Sequence, residues 1–224
     1  MTQELQEYLT LISQRPLEYA QGGLMEIVVD PVLLEAYSKE HQTKLGIVYQ
    51  SSRHIYVVDL VRDKAGNLFP YERLLKTVTG SSVVVVPFYE DKVVLLEQFR
   101  HALGEFQYCF PRGFAEAGIS PMDNARKELQ EELKCHSGTP ELLGQVVADS
   151  GICGEKVWVF RCSITQPHTD GIYENIQSCI TVPLSELQEM VRKGEINDGF
   201  TLSAITLLQN TPLCKRCTDE TPRY

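Results

Sequence analysis

GFAEAGISPMDNARKELQEELKC, residues 113–135, runs from a loop opened by Gly113 into a helix whose start is well marked. Ser120 and Asp123 form an N-terminal capping arrangement, and Pro121 takes the first helical position, where a missing N–H costs nothing. The pattern predicts a helix from about Pro121 to Lys134. At about 100° per residue, Met122, Ala125, Leu129 and Leu133 share one face. Glu128, Glu131 and Glu132 share a neighbouring face, because three- and four-residue offsets line up on a helix. Like charges at that spacing cost helix stability, so a divalent cation is their natural partner. Oxygen ligands favour Mg²⁺ or Mn²⁺ over zinc. From the helix alone, a merely solvated acidic face stays open as the alternative.

Ahead of this segment, SSVVVVPFYE, a polar turn at Glu90-Asp91 and KVVLLEQFR read as a hairpin of buried strands that starts a central sheet. Further strands are expected near LLGQVVAD, KVWVFRCSI and IQSCITV, with a loop through 170–175 and two closing helices, PLSELQEMVRKG and TLSAITLLQ. Upstream, Leu5, Tyr8, Leu9 and Ile12 have helical spacing, and Asp30 caps a second short helix begun by Pro31. LGIVYQSS, HIYVVDLVRD and NLFPYERLLKTV are β-rich runs parted by turn residues, which predicts a three-stranded antiparallel meander. The expected organisation is an accessory unit at 1–78, a core domain at 79–212 and a loose tail at 213–224.

Composition narrows the function classes. The chain has 224 residues, 43% hydrophobic and 23% charged, which excludes a mostly disordered protein. A net charge of −9 disfavours bulk attraction to nucleic acid or an anionic membrane. The first twenty residues lack the basic start and apolar run of a signal peptide, and the longest apolar stretch, around Val83–Phe88, is far too short to span a bilayer. Seven scattered cysteines fit reduced thiols, and the pair Cys214 and Cys217 lacks the further ligands of a zinc site. The expectation is a soluble cytoplasmic protein.

The segment 113–135 resembles the box of the Nudix hydrolases, G-x5-E-x7-R-E-U-x-E-E-x-G-U, where U is aliphatic. Gly113 matches the first glycine, and Glu128, Leu129, Glu131 and Glu132 match E-U-x-E-E in register. Ile119 stands where the first glutamate belongs, Lys127 replaces the arginine and Lys134 replaces the last glycine. The resemblance implies an α/β (α+β) fold, an α/β/α sandwich with a mixed central sheet, here preceded by the antiparallel meander and its short helices. It also implies a metal held by Glu128, Glu131, Glu132 and the carbonyl of Arg112. The family's missing glutamate and altered arginine tie the loop to the helix, so their replacement implies a lost supporting ion pair and a retained metal cage. Lys127, one turn before Glu131, is placed to pair with it.

Beyond the box, residues 45–210 resemble the ADP-ribose pyrophosphatase branch, whose N-terminal sheet contributes to a homodimer. Phe99-Arg100 resembles the end of a strand whose arginine contacts the nucleotide, and Phe110-Pro111-Arg112-Gly113 resembles the branch's L-P-x-G loop. Ser150-Gly151 with Glu155 resembles a substrate loop, and Glu174-Asn175-Ile176 a catalytic loop. The resemblance therefore implies that Arg100, Arg112, Gly113, Glu155, Phe99 and Arg73 bind substrate, with Phe99 or Arg73 as platforms for the base. Glu174, or one of the box glutamates, would act as general base. The implied reaction is metal-dependent hydrolysis of a nucleoside diphosphate linked to another group, foremost ADP-ribose to AMP and ribose 5-phosphate. The rival reading is a catalytically weak binding or sensor protein, and a third is a nucleoside-triphosphate hydrolase.

Overall fold

Residues 83–86 and 93–96 are unbroken apolar runs, which strands adopt when both their faces are buried. The computed structural model puts them in the middle strands of a sheet; it describes residues 2–16, 18–19, 23–80, 82–171 and 173–211. The expected tail, with Cys214 and Cys217, lies outside the described residues. The chain divides into two units, residues 1–79 with 147–155, and residues 80–146 with 156–224.

In the first unit, α1 (Gln3–Gln14) is capped by Thr2 and buries Leu5, Tyr8 and Leu11. Helix α2 (Pro31–His41) starts at Asp30, whose side chain accepts from the Val32 amide. Strands β2 (Gly46–Gln50), β3 (His54–Asp63) and β4 (Leu68–Lys76) form the expected antiparallel meander. A fourth strand, β1 (Met25–Ile27), pairs with the end of β3 at Val61–Asp63. Three residues carry too little alternation to be read from sequence. The segment 147–155 belongs here: Ile152 O accepts from the Leu74 amide at 2.9 Å, and Gly151 O from the Tyr71 hydroxyl at 2.9 Å.

The second unit holds the mixed sheet. Its strands are β5 (Val83–Tyr89), β6 (Lys92–Arg100), β7 (Glu105–Cys109), β8 (Arg112–Gly113), β9 (Glu141–Val146), β10 (Val157–Ser163) and β11 (Ile176–Pro183). The order is β11-β6-β5-β10-β9, with β7 on β6 and β8 on β5. β10 runs parallel to β5, and the other pairs are antiparallel. Alternation sorts the side chains into two layers. Val83, Val85, Val94 and Leu96 pack with Ala125, Leu129 and Leu133 of α3 (Pro121–Leu133). Val84, Val86, Val93 and Leu95 pack with Leu187, Ala204, Ile205 and Leu208 of α4 (Leu184–Arg192) and α5 (Gly199–Asn210). Helices on both faces make the α/β/α sandwich. Strands β7 and β8 replace what sequence patterning leaves as loop, because Arg112-Gly113 has no strand propensity and is held by pairing with Val83 and Val84. Among the described residues no helix is long and apolar enough to cross a membrane.

Candidate active site

Helix α3 begins as its sequence requires: the Ser120 hydroxyl accepts from the Asp123 amide at 3.1 Å. Its apolar stripe is anchored in the sheet, so the acidic stripe beside it is only partly free of the protein. Glu128 is 7% exposed and Glu132 2%. The Glu132 carboxylate accepts from the Arg112 amide at 3.2 Å. Gly113 lies directly under Glu128: a Cβ there would lie 1.9 Å from Oε1 of Glu128 and 2.6 Å from its Cγ, so a side chain at 113 would displace that carboxylate. The loop and the helix are thus pressed together through Gly113 and these two carboxylates.

Burial raises Glu128 to about 7, with Glu131, Glu174 and Glu116 adding to the effect and Lys127 opposing it. Glu132 is pushed well above the usual carboxylate range, first by burial and then by Glu128 and Glu174. Glu174 is exposed and yet close enough for its charge to act on both. Its backbone is left-handed (φ 47°, ψ 33°), as is that of Asn175 (φ 61°). Two consecutive non-glycine residues in that region store strain of a kind that gathers at functional loops. Gln98, 4% exposed, donates to the Glu174 carbonyl at 2.9 Å and holds the loop.

Glu131 is engaged by a lysine. Its carboxylate accepts from Lys127 Nζ at 3.1 Å, and Lys127 also donates to Glu116 at 2.6 Å. The hydrogen bond to Glu116 is the largest influence holding the Lys127 ammonium above its ordinary range. The supporting ion pair expected to be lost is therefore present, with its acid at 116 instead of 119. Lys134 is also accommodated: it takes the left-handed position after the helix (φ 49°) and donates to Glu131 O at 2.9 Å.

Arg100 faces the carboxylate side of the sheet with Leu96 and Gln98. Its Nη2 contacts Cys109 Sγ at 3.1 Å, and its buried Nε has no partner among the described residues. Burial, only partly offset by Arg100, pushes the Cys109 thiol up to about 11, so it stays protonated. Phe99 projects to the opposite face and packs edge-on against Phe106, 5.4 Å between centroids. The Arg112 side chain pairs with Asp198 at 3.3 Å and lies over the Phe200 ring. Asp198 in turn caps α5 through the Thr201 amide at 2.9 Å, and the Thr201 hydroxyl accepts from the Phe110 amide at 3.1 Å. Sequence reading assigned no role to Asp198 or Thr201, although Asp-Gly-Phe-Thr ahead of an apolar run is a capping signal. Arg73 and Glu155 belong to the first unit. There Arg73 is paired with Asp59, and Glu155 lies 3.7 Å from Lys76.

Among the described residues no three His, Cys, Asp or Glu side chains are already gathered as a metal cage. The donors nevertheless suit a hard cation: two buried carboxylates repel each other and sit where a positive charge would relieve both. Gly113→Ala is expected to dislodge Glu128 while the fold persists. Unfolding should shift by about 1–3 kcal/mol, and thermal stabilisation by Mg²⁺ should disappear; an unchanged metal response would mean that Glu128 does not need this cradle.

A box of glutamates on a helix packed against a glycine loop, within a mixed sheet covered on both faces, defines a Nudix-type pyrophosphohydrolase. The NUDIX domain family matches residues 78–196, and the chain belongs to that family. It is 26% identical over 133 residues to the methanol dehydrogenase activator of Bacillus methanolicus, covering 58% of this chain and 72% of that protein. The ADP-ribose pyrophosphatase of Bacillus subtilis (strain 168) is likewise 26% identical over 133 residues, with 58% and 72% covered. A crystal structure of an ADP compounds hydrolase superposes with a TM-score of 0.61 at 16% identity, covering 74% of this chain and 90% of that one.

Proposed function

We propose that the protein hydrolyses the pyrophosphate bond of a nucleoside diphosphate linked to another group, foremost ADP-ribose to AMP and ribose 5-phosphate, with Mg²⁺ or Mn²⁺. The observation that carries this reading is the pair of buried carboxylates, Glu128 and Glu132, against the Arg112-Gly113 loop. The name of the Bacillus subtilis relative supports the substrate. Glu128, Glu132 and the Arg112 carbonyl would hold the metal, with Glu131 joining on release from Lys127. A bound divalent ion neutralises pyrophosphate oxygens and lowers the pKa of water. Water attacks one phosphorus, the bridging P–O bond breaks, and the bridging oxygen leaves with the other phosphate. Glu174, exposed on its strained loop, accepts the water's proton, a role the box glutamates share if they keep a free oxygen. Arg100, whose buried Nε has no partner among the described residues, is positioned to meet a phosphate, while Arg112, held by Asp198, chiefly fixes the loop.

The first unit, with Leu24, Met25 and Tyr49 exposed, is the proposed homodimer contact. Free thiols at Cys109, Cys135, Cys153, Cys162 and Cys179 support a reducing, cytoplasmic setting. The engagement of Glu131 by Lys127 favours a second reading, a nucleotide-sugar binder with little turnover.

The deciding experiment incubates the protein with ADP-ribose, other nucleotide-sugars and nucleoside triphosphates, each with Mg²⁺, Mn²⁺ or chelator, and separates the products. AMP and ribose 5-phosphate formed only with metal is the expected result. Ligand-induced thermal stabilisation without any product would replace the enzyme by the binder.

A further inference from the structure

The departures at Ile119 and Lys127 leave the glycine loop without its expected tie, yet the loop is tied. Phe114 O accepts from Asn124 Nδ2 at 2.9 Å, and the Ala115 amide donates to Ser82 at 3.2 Å. Past these points the chain turns. Gly118 is left-handed (φ 78°), and the Ile119 amide bonds back to Glu116 O at 3.4 Å. That reversal presents residue 116, not residue 119, to the helix, where Glu116 Oε1 meets Lys127 Nζ at 2.6 Å. Lys127 also reaches Glu131 Oε2 at 3.1 Å, so one ammonium bridges the loop to the acidic stripe.

We infer that Glu116 is a positioning residue that supplies the carboxylate missing at Ile119: through Lys127 it fastens loop 114–120 to α3 and sets how Gly113 and the Arg112 main chain stand against Glu128 and Glu132. The pair is half-exposed, with Lys127 at 34% and Glu116 at 44% of side-chain area, so its effect is local ordering and not global stability. Restoring the box acid by Ile119→Glu is then expected to add little, because Lys127 is already engaged.

The test uses the full chain as Glu116→Gln, Lys127→Met, the double variant and Lys127→Arg. Hydrogen exchange of amides 114–120 in chelator is read first, which is independent of the metal reading. Each single loss should speed local opening between about 1.4-fold and about 5-fold, the range for exposed pairs. The double variant should be no faster than either single one, and Lys127→Arg should stay slow. Mg²⁺-dependent thermal stabilisation is read second and rests on the proposed function; apparent affinity should fall by a similar factor in Glu116→Gln, where Lys127 still holds Glu131, and be kept in Lys127→Arg. Exchange unchanged in Glu116→Gln, or strictly additive single effects, would overturn the clamp. Absence of metal stabilisation in the unmodified protein would instead overturn the metal site, leaving the exchange cycle to judge the clamp.

Discussion

Glu132→Gln is expected to abolish metal-dependent turnover and, in the same protein under chelation, to raise stability. Glu132 is nearly inaccessible, its Oε2 accepts the Arg112 amide, and burial with Glu128 and Glu174 nearby disfavours its charge. Glutamine keeps a carbonyl oxygen for that amide and removes the charge. The gain without metal should be on the order of 1–3 kcal/mol near neutral pH. With Mg²⁺ the sign reverses, because an anionic ligand is gone. Turnover should fall at least about a hundredfold, the upper range for losing an outer-shell partner alone. Denaturant unfolding and product release, each with Mg²⁺ and with chelator, measure both arms. Loss of stability in chelator would show that the charge is already compensated, and would sink the argument that this carboxylate waits for a cation.

The same reasoning fixes a pH dependence. Glu128 is raised from 4.5 to about 7, so between those values the folded protein binds protons that the unfolded chain has released. Stability contributed by the protonated form is present below the unfolded value and is lost as pH rises through about 7. The loss for this group is on the order of 3 kcal/mol. Asp63 and Asp123 are lowered by hydrogen bonds, first from Asn67 and from Ser120 respectively, and act in the opposite sense. A Glu128→Gln/Glu132→Gln variant isolates the effect: in chelator its advantage over the unmodified protein should grow from pH 5 to pH 8, and saturating Mg²⁺ should erase it. A pH-independent difference would place both carboxylates in a solvated face.

The residues that were legible in the sequence are those whose partners lie within one helical turn or one strand period. Ser120, Pro121 and the stripe through Leu129 announce α3, and the runs at 83–86 and 93–96 announce the middle of the sheet. Glu128 and Glu132 could be placed on one face, but their burial could not, because it depends on a loop brought back across strand β8. Glu116 escaped notice because its service to Lys127 arises from a reversal at Gly118, and loop reversals carry no periodicity. Phe99 and Arg100 read in the sequence as one nucleotide contact, yet neighbours in a strand point to opposite faces, and only Arg100 shares the carboxylate side. The pairing of Arg73 with Asp59 is not legible in the sequence either, because the two lie fourteen residues apart on paired strands, a relation that needs register to be seen.

That buried pair sets the other large effect, a stability loss of about 3–5 kcal/mol on Asp59→Ala. Asp59 is 1% exposed in the middle of β3, accepts from the Tyr8 hydroxyl at 2.5 Å and from Arg73 Nε at 2.5 Å, and so joins α1 to β4. Arg73 further donates to Glu18 O at 3.0 Å and lies 4.5 Å over the Tyr19 ring. Without Asp59, a guanidinium remains in a largely closed apolar setting with its main anion removed, and burial works to lower its pKa unopposed by that partner. Tyr8→Phe deletes one hydrogen bond to a charged acceptor and should cost less, about 1.5–3 kcal/mol. The penalty of the Asp59 variant belongs to the unpaired charge and not to the lost volume, so the triple change Asp59→Leu, Arg73→Met and Tyr8→Phe should recover most of it. Urea unfolding of the single and triple variants decides: a triple variant no more stable than Asp59→Ala would assign the loss to packing around β3 instead.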